Sequence, residues 1–530
     1  MPVNTRIAQI SNSSLGCWLR SFFSRDVVLV AVVAALTLFL EFHGERVPVN
    51  GGFGWDGVLY ASWARDFPHE VFGHRVNNYY IQRVLPSAVV HYSLRTLGIP
   101  PTDAAILRGF GICAVLMHAL AACCWCLIAR DLRLSLAGKW FGFIALFVNY
   151  IVLKYTRYCV VGTEASAYLL GLMMLLCCLR RWRALLAIVT VVGGFVWPTA
   201  VYVGAALLVF PRTRSADGPV PPAPRLAGAL TAILVILAGL GIWFVLQTPP
   251  SLQTIMVANE FSEPYRPALP LSVAVALAYL GAAFYPLLNG RLLYELRALV
   301  TRRRVLIVGI VLVGLLALKF VQGSLSRPEP TQGLGVFLRQ TAYTSLVRPG
   351  IFLVTHVAFY GPFFLLTAFF WRQTVRQIHG IGIGLTLAVA VGLLFSLNSQ
   401  SRFFMNIFPM VLPFVVKVID ERRISALQFG FTAIAAVLLS KVWFTINSGQ
   451  FHGRLSEFPD QGLFMTHGPW ISPLMYAVQG IVFLILGAAM WAIFFRPRRS
   501  AVAFSHPLPQ AVAGPGIEPS IVSASVTITS

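Results

Sequence analysis

The chain has 530 residues, of which 57% are apolar and only 11% charged, with a mean hydropathy of +0.75. Long apolar runs recur as far as residue 495, which excludes a water-soluble domain and marks an all-α, polytopic membrane protein. The net charge of +22 does not indicate nucleic acid, because the basic residues fall in short clusters between apolar runs, where the positive-inside rule puts cytoplasmic loops.

Arg20 and Arg25 precede a first run whose apolar centre, Val27 to Leu40, is short enough to resemble a signal peptide. Glu41, Phe42, His43 and Gly44 make a poor small-residue cleavage site, so we read an uncleaved span. Residues 1–26 are then cytoplasmic and the polar segment 43–103 is the first outer loop.

That loop contains the densest polar chemistry in the chain, Phe53 to Ser87. Asp56, Asp66, His69, Glu70, His74, Arg75, Gln82 and Arg83 stand there among Trp55, Tyr60, Trp63, Tyr79 and Tyr80. Carboxylates that can take a proton, cations that can hold a phosphate and rings that can lie on a sugar or a headgroup share one membrane face. The alternative is a solvated loop with an interfacial aromatic belt. Arg83 to Gly98 is too short and too polar to span; Val84, Leu85, Val89, Val90 and Leu94 give it the apolar side of an interfacial helix.

Further spans fall at 104–129, 138–153, 160–179, 226–247, 268–290, 305–322, 350–371, 381–397, 403–419, 424–446 and 472–495, which with the first run makes about 12. Cys113, Cys123, Cys124, Cys126, Cys177 and Cys178 lie inside such runs and read as small buried residues, since CCWC has no second cluster to complete a zinc site. The run 184–210 is interrupted by Gly193, Gly194 and Pro198. Each half reaches roughly 18 Å at 1.5 Å per residue, short of the ~30 Å bilayer core. A single crossing would also put Arg180, Arg181 and Arg183 opposite Arg212, Arg214 and Arg225, so a re-entrant hairpin from the cytoplasmic side fits better. On that topology Lys and Arg are concentrated in the inside segments.

Lys154 to Tyr158 reads as a short outer turn, followed by Thr163 and Glu164 at the outer end of the next span. A charge a few residues inside an apolar run costs about 2.5–3.5 kcal/mol on insertion scales, so Glu164 has to be paired, protonated or facing water. Arg157 or Lys154 could supply a structural partner; the other reading makes Glu164 a second acid beside Asp56. The outer loops Gln247 to Pro267 and Gln322 to Pro349 either cover a substrate or connect helices, while Asn447 to Ile471, whose His452, Glu457, Asp460 and His467 match no metal spacing, reads as a solvated loop. Between the last two, Asn398 to Arg402 forms a tight outer turn before FFMNIFPMVLP. There the Arg402 guanidinium, beside two aromatics, suits a phosphate oxygen or a headgroup, or simply snorkels. The tail, 496–530, is rich in Pro, Ala and Ser and reads as a disordered cytoplasmic segment.

An acid after the first span (GWDGVLYASWARD), then YYIQRVLPS, then an acid opening a later span (GTEASAYLLGLMMLL) occur in that order. The basic turn RRWR, the proline-pivoted FVWPTAVYV and the late SRFFMNIFPMVLP follow. Together these motifs resemble the GT-C superfamily of integral membrane glycosyltransferases, particularly its bacterial protein mannosyltransferase and aminoarabinose transferase-like branch, over about residues 25–420. The resemblance implies transfer of a sugar, with inversion, from a polyprenyl-phosphate carrier to a hydroxyl on a lipid, glycan or protein acceptor at the outer face of the cell inner membrane. It implies Asp56 as general base, Glu164 as an orienting acid, and Arg83, Arg402 and Arg157 on the carrier phosphate, with Tyr80, Gln82 and His74 lining the substrate. It leaves open a divalent metal, Mg2+ or Mn2+, held by Asp56 and Glu164, because Asp56 stands alone where some relatives carry two adjacent acids. A transporter or lipid flippase is the competing class, on the strength of the charges Arg108, Lys319 and Lys441 inside spans.

Overall fold

The computed structural model describes residues 26–211, 224–247, 267–289, 301–327, 334–446, 471 and 473–495. Most of the N-terminal segment expected in the cytoplasm, most of the loops 247–267 and 447–471 expected outside, and the tail 496–530 lie outside the described residues.

Every named element is helical. Among the described residues six helices are long and apolar enough to cross a membrane: Asp26–His43, Asp103–Asp131, Pro224–Gln247, Leu269–Leu288, Arg304–Leu325 and Pro473–Phe495. The count rises to eight if each of two bent pairs is one span, so the chain is a multi-pass membrane protein.

Other segments expected to span are shorter or broken, for local reasons. The run read as one span at 138–153 stops at Phe147, bends by 48° and resumes at Ile151. At the break, Asn149 Nδ2 donates to the carbonyls of Ala145 and Leu146 while its Oδ1 accepts from the Val152 amide. The run at 350–371 folds by 119° between Ile351–Tyr360 and Pro362–Phe369. Gly361 takes φ 73° there, and Pro362 has no amide hydrogen to continue the ladder. Glu164–Arg180, Ile383–Phe395, Phe408–Glu421 and Ala426–Ser440 have 17, 13, 14 and 15 residues.

These short helices build the interior. Leu172, Met174 and Leu175 of Glu164–Arg180 and Met410, Val415 and Val416 of Phe408–Glu421 are all fully buried. The long helices Pro224–Gln247, Arg302–Leu325 and Pro473–Phe495 expose most of their apolar side chains. That division suits a bilayer, where lipid tails are as apolar as leucine and helices associate through close packing and hydrogen bonds.

Arg183–Gly193 and Pro198–Val209 lie antiparallel, with Gly193 against Ala200 and Gly204 against Thr190. The turn between them is met from two sides: the Leu85 amide donates to Phe195 O at 3.0 Å, and Gln322 Nε2 to Gly194 O at 2.7 Å. The tip of this hairpin therefore sits directly under the first polar segment. The helix expected at 83–98 is present as Leu85–Thr96 and buries Val84, Val90 and Leu94; Val89 points outward instead.

Candidate active site

Asp56 directly precedes the Gly57–Arg65 helix. That helix start packs onto residue 161 so tightly that a Cβ on Gly57 would lie 3.1 Å from the Val161 carbonyl oxygen. The contact carries Asp56 to the turn that ends in Glu164.

Glu164 opens the Glu164–Arg180 helix, where an acid meets the positive end of the helix dipole. Its Oε2 accepts from the Thr163 amide at 2.9 Å and its Oε1 from the Tyr155 hydroxyl at 3.4 Å. Neither cation nearby in sequence pairs with it. Arg157 donates to Glu41 Oε2 and to Leu40 O, both at 2.9 Å, and Lys154 pairs with Glu45. The chain from Lys154 to Tyr158 is thus stapled to the end of the first helix, which holds Tyr155 against Glu164. The structure places the Arg157 guanidinium in this buried pair.

Arg402 arrives on a separate turn. The Glu164–Arg180 helix approaches it so closely that a Cβ on Gly171 would lie 2.0 Å from the Asn406 carbonyl oxygen. The turn is latched from below by His356, whose Nε2 is 2.7 Å from Ser396 O and whose Nδ1 is 2.9 Å from Ser401 Oγ. A carbonyl can only accept, so Nε2 carries the proton and Nδ1 accepts from the serine. Tyr360 adds a bond to Ser401 O at 2.7 Å, and Gln400 Oε1 accepts from Arg402 Nε at 3.3 Å.

The result is a shared guanidinium: Arg402 Nη1 lies 3.5 Å from Asp56 Oδ2 and 3.9 Å from Glu164 Oε1. The Asp56 side chain is 34% exposed and that of Glu164 only 9%, so Asp56 is the acid that a substrate can reach. Tyr80 donates to Asp56 Oδ1 at 3.2 Å. Burial, then the neighbouring Asp56 carboxylate, raises the Tyr80 phenol above its ordinary value, so it stays protonated as the donor.

Arg83 ends the short turn Tyr80–Arg83, behind Tyr80 and Asp56. It is 1% exposed and sandwiched between the rings of Tyr79 and Trp197, at 4.7 and 4.8 Å. Its Nη1 reaches Tyr60 OH at 3.5 Å, while its Nε has no hydrogen-bond partner. No carboxylate pairs with it among the described residues. Gln82 donates to Asn78 O and accepts from Lys319. His74 is exposed in a turn with φ 54°, and among the described residues no polar contact ties it to the cluster.

Of the expected site residues, the structure brings together Asp56, Glu164, Arg402 and Tyr80, with Arg83 behind them. Tyr155, His356 and Tyr360 carried no recognisable signal, because a polar residue inside an apolar run looks like any buried one. Trp197 sat in the FVWP motif without an assigned role. The intramembrane charges that suggested transport have different neighbours: Lys319 bonds to Gln82, Lys441 lies 5.0 Å from the Tyr150 ring centre, and Arg108 is exposed.

Among the described residues no group of three or more His, Cys, Asp or Glu side chains gathers. For Mg2+ or Mn2+ that leaves Asp56 and Glu164, with an Arg402 nitrogen within ion-pair reach of both. A hard divalent ion seeks about six oxygen ligands and would meet like charge beside the guanidinium. This donor set does not fit a metal.

Fold and site together define the class, a helical multi-pass membrane protein with an acid–guanidinium cluster under an aromatic-rich polar segment. Comparison of the chain with family models, with curated proteins and with solved structures finds no match.

Proposed function

We propose that the protein is a GT-C-like glycosyltransferase that moves a sugar from a polyprenyl-phosphate carrier to an acceptor hydroxyl at the outer face of a cell inner membrane. In this reading the short and broken helices complete a bundle of about 12 crossings plus the re-entrant hairpin, with both termini cytoplasmic. The observation that carries the proposal is a buried cation, Arg83, with no carboxylate paired to it among the described residues, set behind the reachable Asp56, which shares the Arg402 guanidinium with Glu164. The phosphodiester of a polyprenyl-phosphate sugar supplies an anion for this cation.

The carrier phosphate meets Arg402, whose side chain is 20% exposed, with the charge of the buried Arg83 behind it, and Arg402 in turning to the phosphate releases Asp56 Oδ2. Asp56 then accepts the acceptor hydroxyl proton as that oxygen attacks the anomeric carbon from the face opposite the phosphate. The bond from sugar to phosphate oxygen breaks, and the electron pair stays on the polyprenyl phosphate. This leaving group is already an anion, so the two guanidinium groups serve it better than a general acid. Base catalysis of this kind is typically worth about 10²–10⁴ in rate. Glu164 keeps Arg402 oriented, while Tyr80 fixes the rotamer of Asp56.

The test is radiolabelled sugar transfer from a panel of polyprenyl-phosphate sugars in proteoliposomes, comparing the native chain with Asp56→Asn at matched expression. Transfer by the native chain, lost in the variant while carrier binding persists, supports the reading. Undiminished transfer in Asp56→Asn rejects the assigned base.

A further inference from the structure

The Arg302–Leu325 helix touches the rest of the protein mainly near its C-terminal end. Leu318 is buried against the hairpin turn at Gly194, Gln322 Nε2 donates to Gly194 O at 2.7 Å, and the Arg327 amide donates to Val76 O at 2.8 Å. The remainder is apolar and open: Val305, Ile310, Val313, Leu316 and Phe320 are all more than half exposed, Phe320 to 77%. This is the surface of a helix in contact with lipid.

One cation interrupts it. Lys319 follows Leu318 and precedes the buried Gln322 by one turn, and its Nζ lies 3.1 Å from Gln82 Oε1. That bond uses one of three ammonium hydrogens, and no carboxylate pairs with Lys319 among the described residues. A lysine in a lipid-facing span is costly, and its usual outlet is to extend toward the interface. This one instead reaches the residue immediately before Arg83. Arg83 in turn stacks on Trp197, three residues past the Gly194 to which Gln322 bonds. Exposure therefore falls along this set, from the exposed Lys319 through the half-buried Gln82 to the buried Arg83.

We infer that Lys319 marks a lateral entrance from the bilayer, where it captures the phosphate headgroup of the polyprenyl monophosphate carrier before Arg83 and Arg402 receive it. The chemistry required is a phosphate on a long apolar chain: the headgroup takes the open N–H groups of Lys319 while the chain stays against the exposed apolar face of its helix. The inference rests on the glycosyltransferase reading and adds the route and the residue that selects for a membrane-borne phosphate.

The experiment is equilibrium binding of polyprenyl monophosphate to the full chain in phosphatidylcholine nanodiscs, for the native protein, Lys319→Met and Lys319→Arg, with thermal unfolding of each. Met keeps the length and apolar stem of the side chain, so all three proteins are expected to unfold alike. Lys319→Met is expected to bind the carrier roughly tenfold more weakly and Lys319→Arg within about twofold of native, the scale of one hydrogen bond to a charged group. Neither phosphatidylglycerol at equal mole fraction nor inorganic phosphate is expected to compete. Equal binding by the native protein and Lys319→Met overturns the entrance and leaves the glycosyltransferase reading standing. Equal competition by phosphatidylglycerol also overturns it, reducing Lys319 to an ordinary headgroup contact. Absence of carrier binding by the native chain overturns both.

Discussion

Arg402 and Asp56 lie far apart in the chain and meet at 3.5 Å, with Glu164 held 3.9 Å from the same arginine nitrogen. With both carboxylates near Nη1 and Gln400 on Nε, the rigid guanidinium fork keeps further N–H donors for a third anion.

Replacing that fork tests it directly. Arg402→Lys keeps the charge but concentrates it at one point, so sugar transfer is expected to fall by about 10²–10³, the loss seen when one preorganised donor is removed. The variant should remain monodisperse on size exclusion. Full transfer by Arg402→Lys would show that geometry at this position is irrelevant.

Arg157 calls for the opposite pattern. Its pair with Glu41 is buried on both sides, at 9% and 7% side-chain exposure, and Arg157→Met leaves Glu41 with Arg46 alone on its other oxygen, so a cost of about 1–3 kcal/mol of stability is expected. The double variant with Glu41→Gln should cost less than the sum of the two single changes, with a coupling of about 1–3 kcal/mol by thermal unfolding in detergent. Carrier binding by Arg157→Met should match native. A folded Arg157→Met protein that no longer binds the carrier would return this residue to the phosphate site.

Gly171 allows two backbones to meet under the cluster. Gly171→Ala is expected to destabilise by about 1–3 kcal/mol, because its Cβ would lie 2.0 Å from the Asn406 carbonyl oxygen, an atom that cannot swing away. Gly228→Ala, on the lipid-facing Pro224–Gln247 helix, has nothing within 4 Å and should be neutral or stabilising. Equal melting temperatures for the two variants would contradict the packing described.

His356 acts on the site through the Arg402 turn. His356→Phe keeps the ring but leaves Ser396 O without its donor and Ser401 Oγ without its acceptor, an expected cost of about 2 kcal/mol. A loosened turn should raise KM for the donor while the pH profile of transfer keeps its shape, since the imidazole exchanges no proton with substrate. A displaced pH profile would place His356 in the chemistry itself.

Much of this was legible beforehand, for reasons that differ by residue. Asp56 and Tyr80 stood in a stretch too rich in acids, bases and rings to be an ordinary connection, and Glu164 and Arg402 were charges at the ends of apolar runs, where a lone charge is costly. The antiparallel hairpin was visible in Gly193, Gly194 and Pro198, whose clustering within six residues weakens a helix at that point. The partner of Arg157 was not legible, because Glu41 looked like the trailing edge of a first span. The breaks at Asn149 and Gly361 were hidden by apolar neighbours, since hydropathy averages over a window and does not register a side chain bonding to its own backbone.

By itself, then, the sequence determined a helical membrane protein and the surface on which its polar residues gather, because burying apolar runs and excluding charge from lipid depend on composition and order alone. Which acid meets which cation was decided only by the tertiary structure. Arg157 and Lys154 precede Glu164 by a few residues yet pair with Glu41 and Glu45, while Arg402 comes to Glu164 from far along the chain. An ion pair in a low-dielectric interior depends on distance in space, and that distance is set by backbones in contact, as at Gly171 and Asn406.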